Sequence, residues 1–359
     1  MLSIEGLIVN KEGTKRGRIE IDSVTGLIAK IGTPTGVADF VFKDELIFPG
    51  FIDLHVHARE DVSHKNDYKE DFKSAGEAAI NGGVVAFVDM INNAVPTVED
   101  KPYLERKYLT KKSEVEIVLS AGIGKNSNPL TFSVPYKVFL SQSVGDLFFN
   151  TRDELEKAIA KYKGQYVSFH CEDPKILEEN KDAPTYGAKR PKEAEILAVD
   201  FVLRLIKKYG IIGKICHVST VEAVQKIIEA KKRGVNVTVE VTPHHLYFYE
   251  TMISEESKKM FQVNPPIRQT KENRLALIKF LKEGQIDYLA TDHAPHTIEE
   301  KEKGISGVPQ LDTYGAFVTW LMKEHGFTEN DIARISSVNP GNFINQFTSN
   351  KYGQVAQSF

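Results

Sequence analysis

His55 and His57 stand one residue apart at the end of the run Phe48-Pro49-Gly50-Phe51-Ile52-Asp53-Leu54-His55-Val56-His57-Ala58-Arg59. Phe51, Ile52 and Leu54 have the bulk of a buried strand. Strand side chains alternate faces, so the two imidazoles point the same way. Neutral imidazole is a favoured zinc ligand, which makes the pair half a metal site. A surface strand that happens to carry two histidines is the plain alternative. Other metal-competent residues decide between them. His170 closes the run 166–170, His217 follows Ile215-Cys216, Asp292 closes 288–292, and Lys137 lies in Tyr136-Lys137-Val138-Phe139-Leu140. A lone histidine is better read as a hydrogen-bonded core or loop residue. Ten histidines scattered at random would not select the ends of different strands.

Four histidines and one carboxylate exceed what a single catalytic zinc with an open position takes. They suit two metal ions about 3.5–4 Å apart that share a hydroxide. Two ions also need a bridging anion. Carbamylated by CO2, a lysine becomes a carboxylate on a long arm. The apolar neighbours of Lys137 disfavour the ammonium form and free the amine to react. A lysine snorkelling to the surface is the commoner state and the alternative here.

These residues need a scaffold that gathers strand ends. From residue 48, eight apolar runs alternate with helical patterns: 51–57, 84–90, 115–120, 136–140, 166–171, 215–218, 235–241 and 288–292. The helical patterns include 68–81, 152–162, 191–209, 221–232 and 271–283, with Thr220 as a cap and Gly82-Gly83, Gly210 and Gly234 as stops. Eight β/α units over 48–342 predict an α/β TIM (β/α)8 barrel, whose parallel strands are buried on both faces. A doubly wound open sheet is the other topology considered. A barrel places all these strand ends on one face, where its active site is built. Residues 1–47 read as short strands separated by Gly13, Gly17, Gly26, Gly32, Pro34 and Gly36, a small N-terminal β domain.

Composition sets the remaining bounds. The chain has 359 residues, 41% hydrophobic and 26% charged, with a net charge of -3 from mixed signs. That is ordinary globular composition, and it suggests neither a nucleic-acid groove nor a basic membrane face. No signal pattern and no membrane-length apolar run is evident. Two cysteines, Cys171 and Cys216, make no disulfide framework. A cytoplasmic enzyme is the expectation. Strand alternation turns both cysteines away from the neighbouring histidines, into core packing.

Over residues 48–342 the chain resembles the dihydroorotases of the cyclic amidohydrolase superfamily. The resemblance rests on His55-Val56-His57-Ala58-Arg59, Phe169-His170-Cys171-Glu172-Asp173 and Cys216-His217-Val218-Ser219-Thr220. It rests also on Thr242-Pro243-His244-His245-Leu246, Val263-Asn264-Pro265-Pro266-Ile267-Arg268 and Ala290-Thr291-Asp292-His293-Ala294-Pro295-His296. It implies two Zn(2+) per chain. His55 and His57 would hold one, His170 and His217 the other. Carbamylated Lys137 would bridge them, and Asp292 would complete the first site and act as general acid/base. Arg59, Asn92 and His296 would bind a substrate carboxylate, and Asn264 the ring or its amide. The implied reaction is the reversible cyclisation of N-carbamoyl-L-aspartate to dihydroorotate in pyrimidine (UMP) biosynthesis, with a metal-bridging hydroxide attacking the cyclic amide. The resemblance also allows for a homo-oligomer and for association with aspartate transcarbamoylase.

The residues agree with that chemistry. Opening an unactivated cyclic amide needs a strong nucleophile, a polarised carbonyl and a proton for the leaving nitrogen. A free carboxylate on the substrate calls for a fork such as Arg59, which shares the strand face of His57. An ion pair of Arg59 with Glu60 or Asp61 is the structural alternative. A neutral-ring enzyme such as a hydantoinase, dihydropyrimidinase or allantoinase would keep the metal set but has no need of that arginine. A non-catalytic relative that activates a partner would be expected to lack metal ligands. Three departures from the family pattern stand out: Ile91 replaces the usual proline before Asn92, Gln310 replaces glycine, and the chain is short after 342. The β domain of 1–47 must then be small, completed by 343–359, or closed by a partner chain. His64, His244, His245 and His293 are expected to support the site without ligating metal.

Overall fold

The computed structural model describes residues 1–10, 13–142, 147–268 and 270–353. The N-terminal strands β1 (Leu2–Asn10), β2 (Gly13–Ile21), β3 (Ile28–Gly32) and β4 (Phe40–Ile47) form one sheet in the order β3-β2-β1-β4. β1 pairs antiparallel with β2 and parallel with β4. Ile8, Val9 and Ile19 are its buried apolar side chains.

β4 leads through Pro49-Gly50 into a barrel. Its strands are β5 (Phe51–Val56), β6 (Val84–Asp89), β7 (Glu116–Leu119), β8 (Ala121–Gly122), β9 (Tyr136–Phe139), β10 (Tyr166–His170), β11 (Ile212–Ile215), β12 (Val237–Val241) and β13 (Tyr288–Leu289). β7 and β8 are one barrel strand interrupted at Ser120, which leaves eight. β5-β6-β7 and β8 to β13 pair as parallel neighbours in chain order. The barrel closes where Val56 bridges His293 and His57 N–H donates to the His293 carbonyl at 2.7 Å. This is the eightfold α/β alternation that the apolar runs predict.

Helices cover the outside, and their starts follow capping chemistry. Thr151, Thr220, Thr242 and Thr270 accept from backbone N–H groups of the helices they open. Asp71 and Ser74 form a capping box at Phe72–Asn81. Gly210 ends Lys192–Tyr209 in the left-handed conformation that glycine adopts without strain. Residues 68–71 lie outside the helix expected at 68–81.

Two apolar cores follow. The larger lies between strands and helices, from Phe87, Phe169 and Ile215 to Val199, Val224 and Leu277. The smaller fills the barrel's lower end with Ile52, Leu54, Ala86, Val88 and Tyr288 against Phe343 and Ile344. Phe347 and Tyr352 pack on it too. Residues 343–353 therefore stopper the barrel and add no strand to the N-terminal sheet; 354–359 lie outside the described residues. Among the described residues, no helix is long and apolar enough to cross a membrane.

Candidate active site

The upper end of the barrel is polar. A pocket there is lined by His55, His57, Arg59, Asn92, Lys137, His170, His217, Asn264 and Asp292, with Ser306 and Gly307 as part of its wall. Nine of the ten residues singled out above thus line one cavity. His296 stands behind it.

β5 delivers His55 and His57. Leu54 belongs to the interior core, and the pairing register shifts between Asp53 and Val56, so His55 faces the interior as well. Nε2 of His55 and Nε2 of His57 lie 3.1 and 3.0 Å from Asp292 Oδ1. Asp292 reaches them with a φ of +52°, an uncommon region for a residue with a Cβ. Asp53 stabilises that turn: its carboxylate accepts from the N–H and hydroxyl of Thr291 and from His55 N–H. Burial raises the Asp53 pKa to about 6.

Lys137 comes from low in the barrel. It is the second residue of β9 and pairs in register with Ser168, whereas His170 pairs with Phe139. It is therefore not at a strand end, and its length lifts Nζ to 3.3 Å from His55 Nε2. The side chain is wholly buried, so the snorkelling alternative does not hold. His170 presents Nδ1 to Nε2 of His217 at 3.0 Å. His217 turns inward with a φ of +34°. That turn breaks strand alternation, and it corrects the expectation for Cys216. Cys216 faces the interior, with Sγ 3.1 Å from Lys137 Nζ. Cys171 does pack in the outer core.

Two buried carboxylates, not singled out from sequence, hold the outer nitrogens of two of these histidines. Glu240 accepts from His55 Nδ1 and is itself ion-paired with Lys214. Glu172 accepts from His170 Nε2 at 3.0 Å and is ion-paired with Arg190. Burial opposes both charges. Lys214 and His55 nevertheless hold the Glu240 carboxyl at about 2, and Arg190 and His170 hold Glu172 well below the carboxylate range. A charged pair inside a strand buried on both faces was the available signal: Lys214 and Glu240 each interrupt an apolar run. Burial also opposes the charge of Asp292, but its imidazole neighbours, His55 and His57 foremost, keep it far below the ordinary value. Burial holds His57 down at about 3, so this imidazole is neutral.

Arg59 forms neither expected ion pair. Asp61 accepts from the N–H groups of Ser63 and Val95, and Glu60 accepts from Phe72 N–H and pairs with Lys112. Arg59 instead donates Nε–H to the Pro295 carbonyl at 3.2 Å, and Nη2 meets His296 Nε2 at 3.1 Å. Nη1 makes no hydrogen bond to the described residues. Asn93 donates to the Arg59 carbonyl and Arg106 to the Glu60 carbonyl, while Arg106 pairs with Asp89, whose Oδ1 accepts from Ala58 N–H. This loop is thereby fixed on three sides with Ile91 in the position of the usual proline. Ile91 itself is buried.

The opposite wall carries Asn264, whose Oδ1 accepts from the Tyr186 hydroxyl. Tyr186 also lies 2.6 Å from Ser306 Oγ. Lys301 Nζ donates to the carbonyls of Gln262, Ile305 and Gly307 at 3.2, 2.9 and 2.7 Å and so fastens the 304–307 wall. Gly307 has a φ of +135°, and a Cβ there would meet the Ala294 carbonyl oxygen at 2.7 Å. The four unassigned histidines each have a hydrogen-bond partner. His293 joins Glu70 to the N–H groups of Gln310 and Leu311, His244 meets Gln310, His245 meets the Pro265 carbonyl, and exposed His64 pairs with Asp67.

The donor set suits divalent metal. Ligand atoms of His55, His217 and Asp292 lie within 4.8 Å of one another. Neutral imidazoles around a carboxylate are the ligands of hydrolytic metal centres.

Comparison with known proteins gives the same assignment. Residues 46–124 match the family model described as the amidohydrolase family. A dihydroorotase of Methanosphaera stadtmanae is 32% identical over 324 residues, covering 84% of this chain and 72% of that protein. A dihydroorotase of Thermococcus kodakarensis is 35% identical over 335 residues, covering 91% and 76%. In fold the chain is similar to L-hydantoinase from Arthrobacter aurescens, with a TM-score of 0.85 at 22% identity over 99% of this chain and 84% of that one. Dihydropyrimidinase from Brevibacillus agri gives 0.81 at 20%, covering 99% and 84%. Those identities speak to the barrel alone, whereas the closer sequence likeness, carried over most of both chains, shows that this chain belongs to the dihydroorotase family of amidohydrolases.

Proposed function

We propose that the protein is a dihydroorotase of pyrimidine biosynthesis, interconverting N-carbamoyl-L-aspartate and dihydroorotate at a binuclear zinc centre. The observation that carries this reading is Arg59. Its guanidinium is buried beside the proposed metal-ligating cluster, is anchored through Nε and Nη2, and has no hydrogen-bond partner on Nη1 among the described residues. A buried cation so placed matches a substrate carboxylate, which dihydroorotate has and a neutral ring lacks.

His55, His57 and Asp292 would hold one ion, and His170 and His217 the other. Lys137, carbamylated at Nζ by CO2 with loss of a proton, would bridge the two. When bound, the ions lower the pKa of a water molecule towards about 7 and polarise a carbonyl. The residues do the rest. Arg59 takes the carboxylate from one side, with His296 bracing it and Asn92 close by. Asn264, its Oδ1 occupied by Tyr186, offers its amide N–H to the ring. Asp292 Oδ1 faces the two imidazoles, while Oδ2 makes no hydrogen bond to the described residues. Oδ2 is the atom to take a proton from the nucleophile and pass it to the leaving nitrogen. The two free cysteines fit a cytoplasmic enzyme. A homo-oligomer and association with aspartate transcarbamoylase are part of the same family expectation.

The test is turnover of dihydroorotate beside dihydrouracil and allantoin, with metal content measured on the same sample. Hydrolysis of dihydroorotate alone with two metal ions per chain is expected. Turnover of the neutral rings would move the protein to the hydantoinase class.

A further inference from the structure

Each proposed metal position has two histidines, and only one of each pair has its outer nitrogen held. His55 gives Nδ1 to Glu240, and His170 gives Nε2 to Glu172. Nδ1 of His57 and Nδ1 of His217 are buried without a hydrogen-bond partner among the described residues. Each holding carboxylate has a cation of its own: Lys214 Nζ, which also donates to the Leu54 carbonyl at 3.1 Å, and Arg190, whose Nε lies 3.0 Å from Glu172 Oε1. Among the described residues, neither Lys214 nor Arg190 pairs with the other arrangement's carboxylate.

We infer that Lys214–Glu240 and Arg190–Glu172 are two independent positioning pairs, each fixing the ring of one histidine for one metal ion. A carboxylate that accepts the outer N–H fixes the tautomer, leaving a lone pair on the inner nitrogen, and orients the ring. The clamping cation keeps that carboxylate an acceptor. At His55 the nitrogen left for metal is Nε2, and at His170 it is Nδ1. That difference follows directly from which nitrogen each carboxylate holds. Glu240 Oε1 also accepts from the backbone N–H of His217 at 3.3 Å, a main-chain bond that an amide oxygen at this position can keep; the imidazole it holds is that of His55.

The inference rests on the binuclear reading, and zinc titration separates the two. Zinc binding to wild type, Glu240→Gln and Glu172→Gln would be measured against a chromophoric chelator, with thermal unfolding of the metal-free proteins as a check on folding. Wild type is expected to bind two ions. Each isosteric variant is expected to bind one ion normally and the other 10- to 100-fold more weakly. Arg190→Lys, which keeps the charge and loses the fork, should weaken the same ion as Glu172→Gln by a smaller factor. A double variant should weaken both ions. Two ions bound with unchanged affinity in both single variants would overturn the inference and leave the binuclear reading standing. So would identical losses of both ions in each variant. Fewer than two ions in wild type would overturn the binuclear reading, and the inference with it.

Discussion

The two halves of the proposed metal centre are braced from different places. The half around His55, His57 and Asp292 is held from inside the barrel by Asp53, Thr291, Lys214 and Glu240, side chains that are wholly buried. The half around His170 and His217 has a brace just as buried, Glu172, but that carboxylate is clamped from the rim by Arg190, which directly follows the short helix Tyr186–Lys189. Tyr186, at the start of that helix, also grips Asn264 and Ser306 in the pocket wall. One half is therefore fixed by the fold itself. The other is joined, through five residues, to the surface that meets substrate. Ligands that look equivalent on the page differ in what can disturb them.

Lys137 stands between the halves, and its loss should erase the distinction. Lys137→Ala is expected to abolish turnover and empty both metal positions, measured as zinc per chain; full retention of either would refute its bridging role. Arg59→Ala should leave metal content intact and weaken binding of the carboxylate-bearing substrate. The expected cost is about 2–5 kcal/mol for a lost charge partner, read as a rise in KM for dihydroorotate. Unchanged kinetics would make Arg59 structural. Tyr186→Phe sharpens the comparison, because it acts on the rim alone. It should cost about 0.5–1.5 kcal/mol in kcat/KM, through one hydrogen bond to Asn264, at constant zinc stoichiometry. A loss of zinc from this variant would mean that the wall and the second metal position are more tightly joined than described.

The smallest effect concerns the same rim. Burial lowers Lys301 from 10.5 to about 8. Between those values the unfolded chain binds more protons than the folded one, so this group makes stability rise with pH across that window. Melting temperatures of wild type and Lys301→Met, compared from pH 7.5 to 10, should therefore converge or cross in the wild type's favour. Parallel curves would remove Lys301 from the account.

That the residues proposed as ligands meet in one pocket was legible in the sequence because their chemistry forces a position. The spacing of His55 and His57 puts both rings on one face, and a barrel collects strand ends. The braces were not, because a glutamate or lysine inside Val237-Thr238-Val239-Glu240-Val241 or Ile212-Gly213-Lys214-Ile215 reads as strand composition until its partner is known. Cys216 was placed on the wrong side because alternation was carried one residue past the end of β11, where His217 has left the extended region. The level of Lys137 was misplaced for a related reason: a long side chain hides how deep its backbone lies. Residues 343–353 were tied to the N-terminal sheet by their place in the chain, yet their three aromatic rings found the open lower end of the barrel.

Lys301 has one further consequence. Three carbonyl oxygens converge on its ammonium group, and among the described residues no carboxylate pairs with it. Here the cation is covalently attached beside the loop it organises, so below about pH 8, while Lys301 carries its proton, the pocket wall is fastened by the chain's own charge without drawing on a dissolved ion.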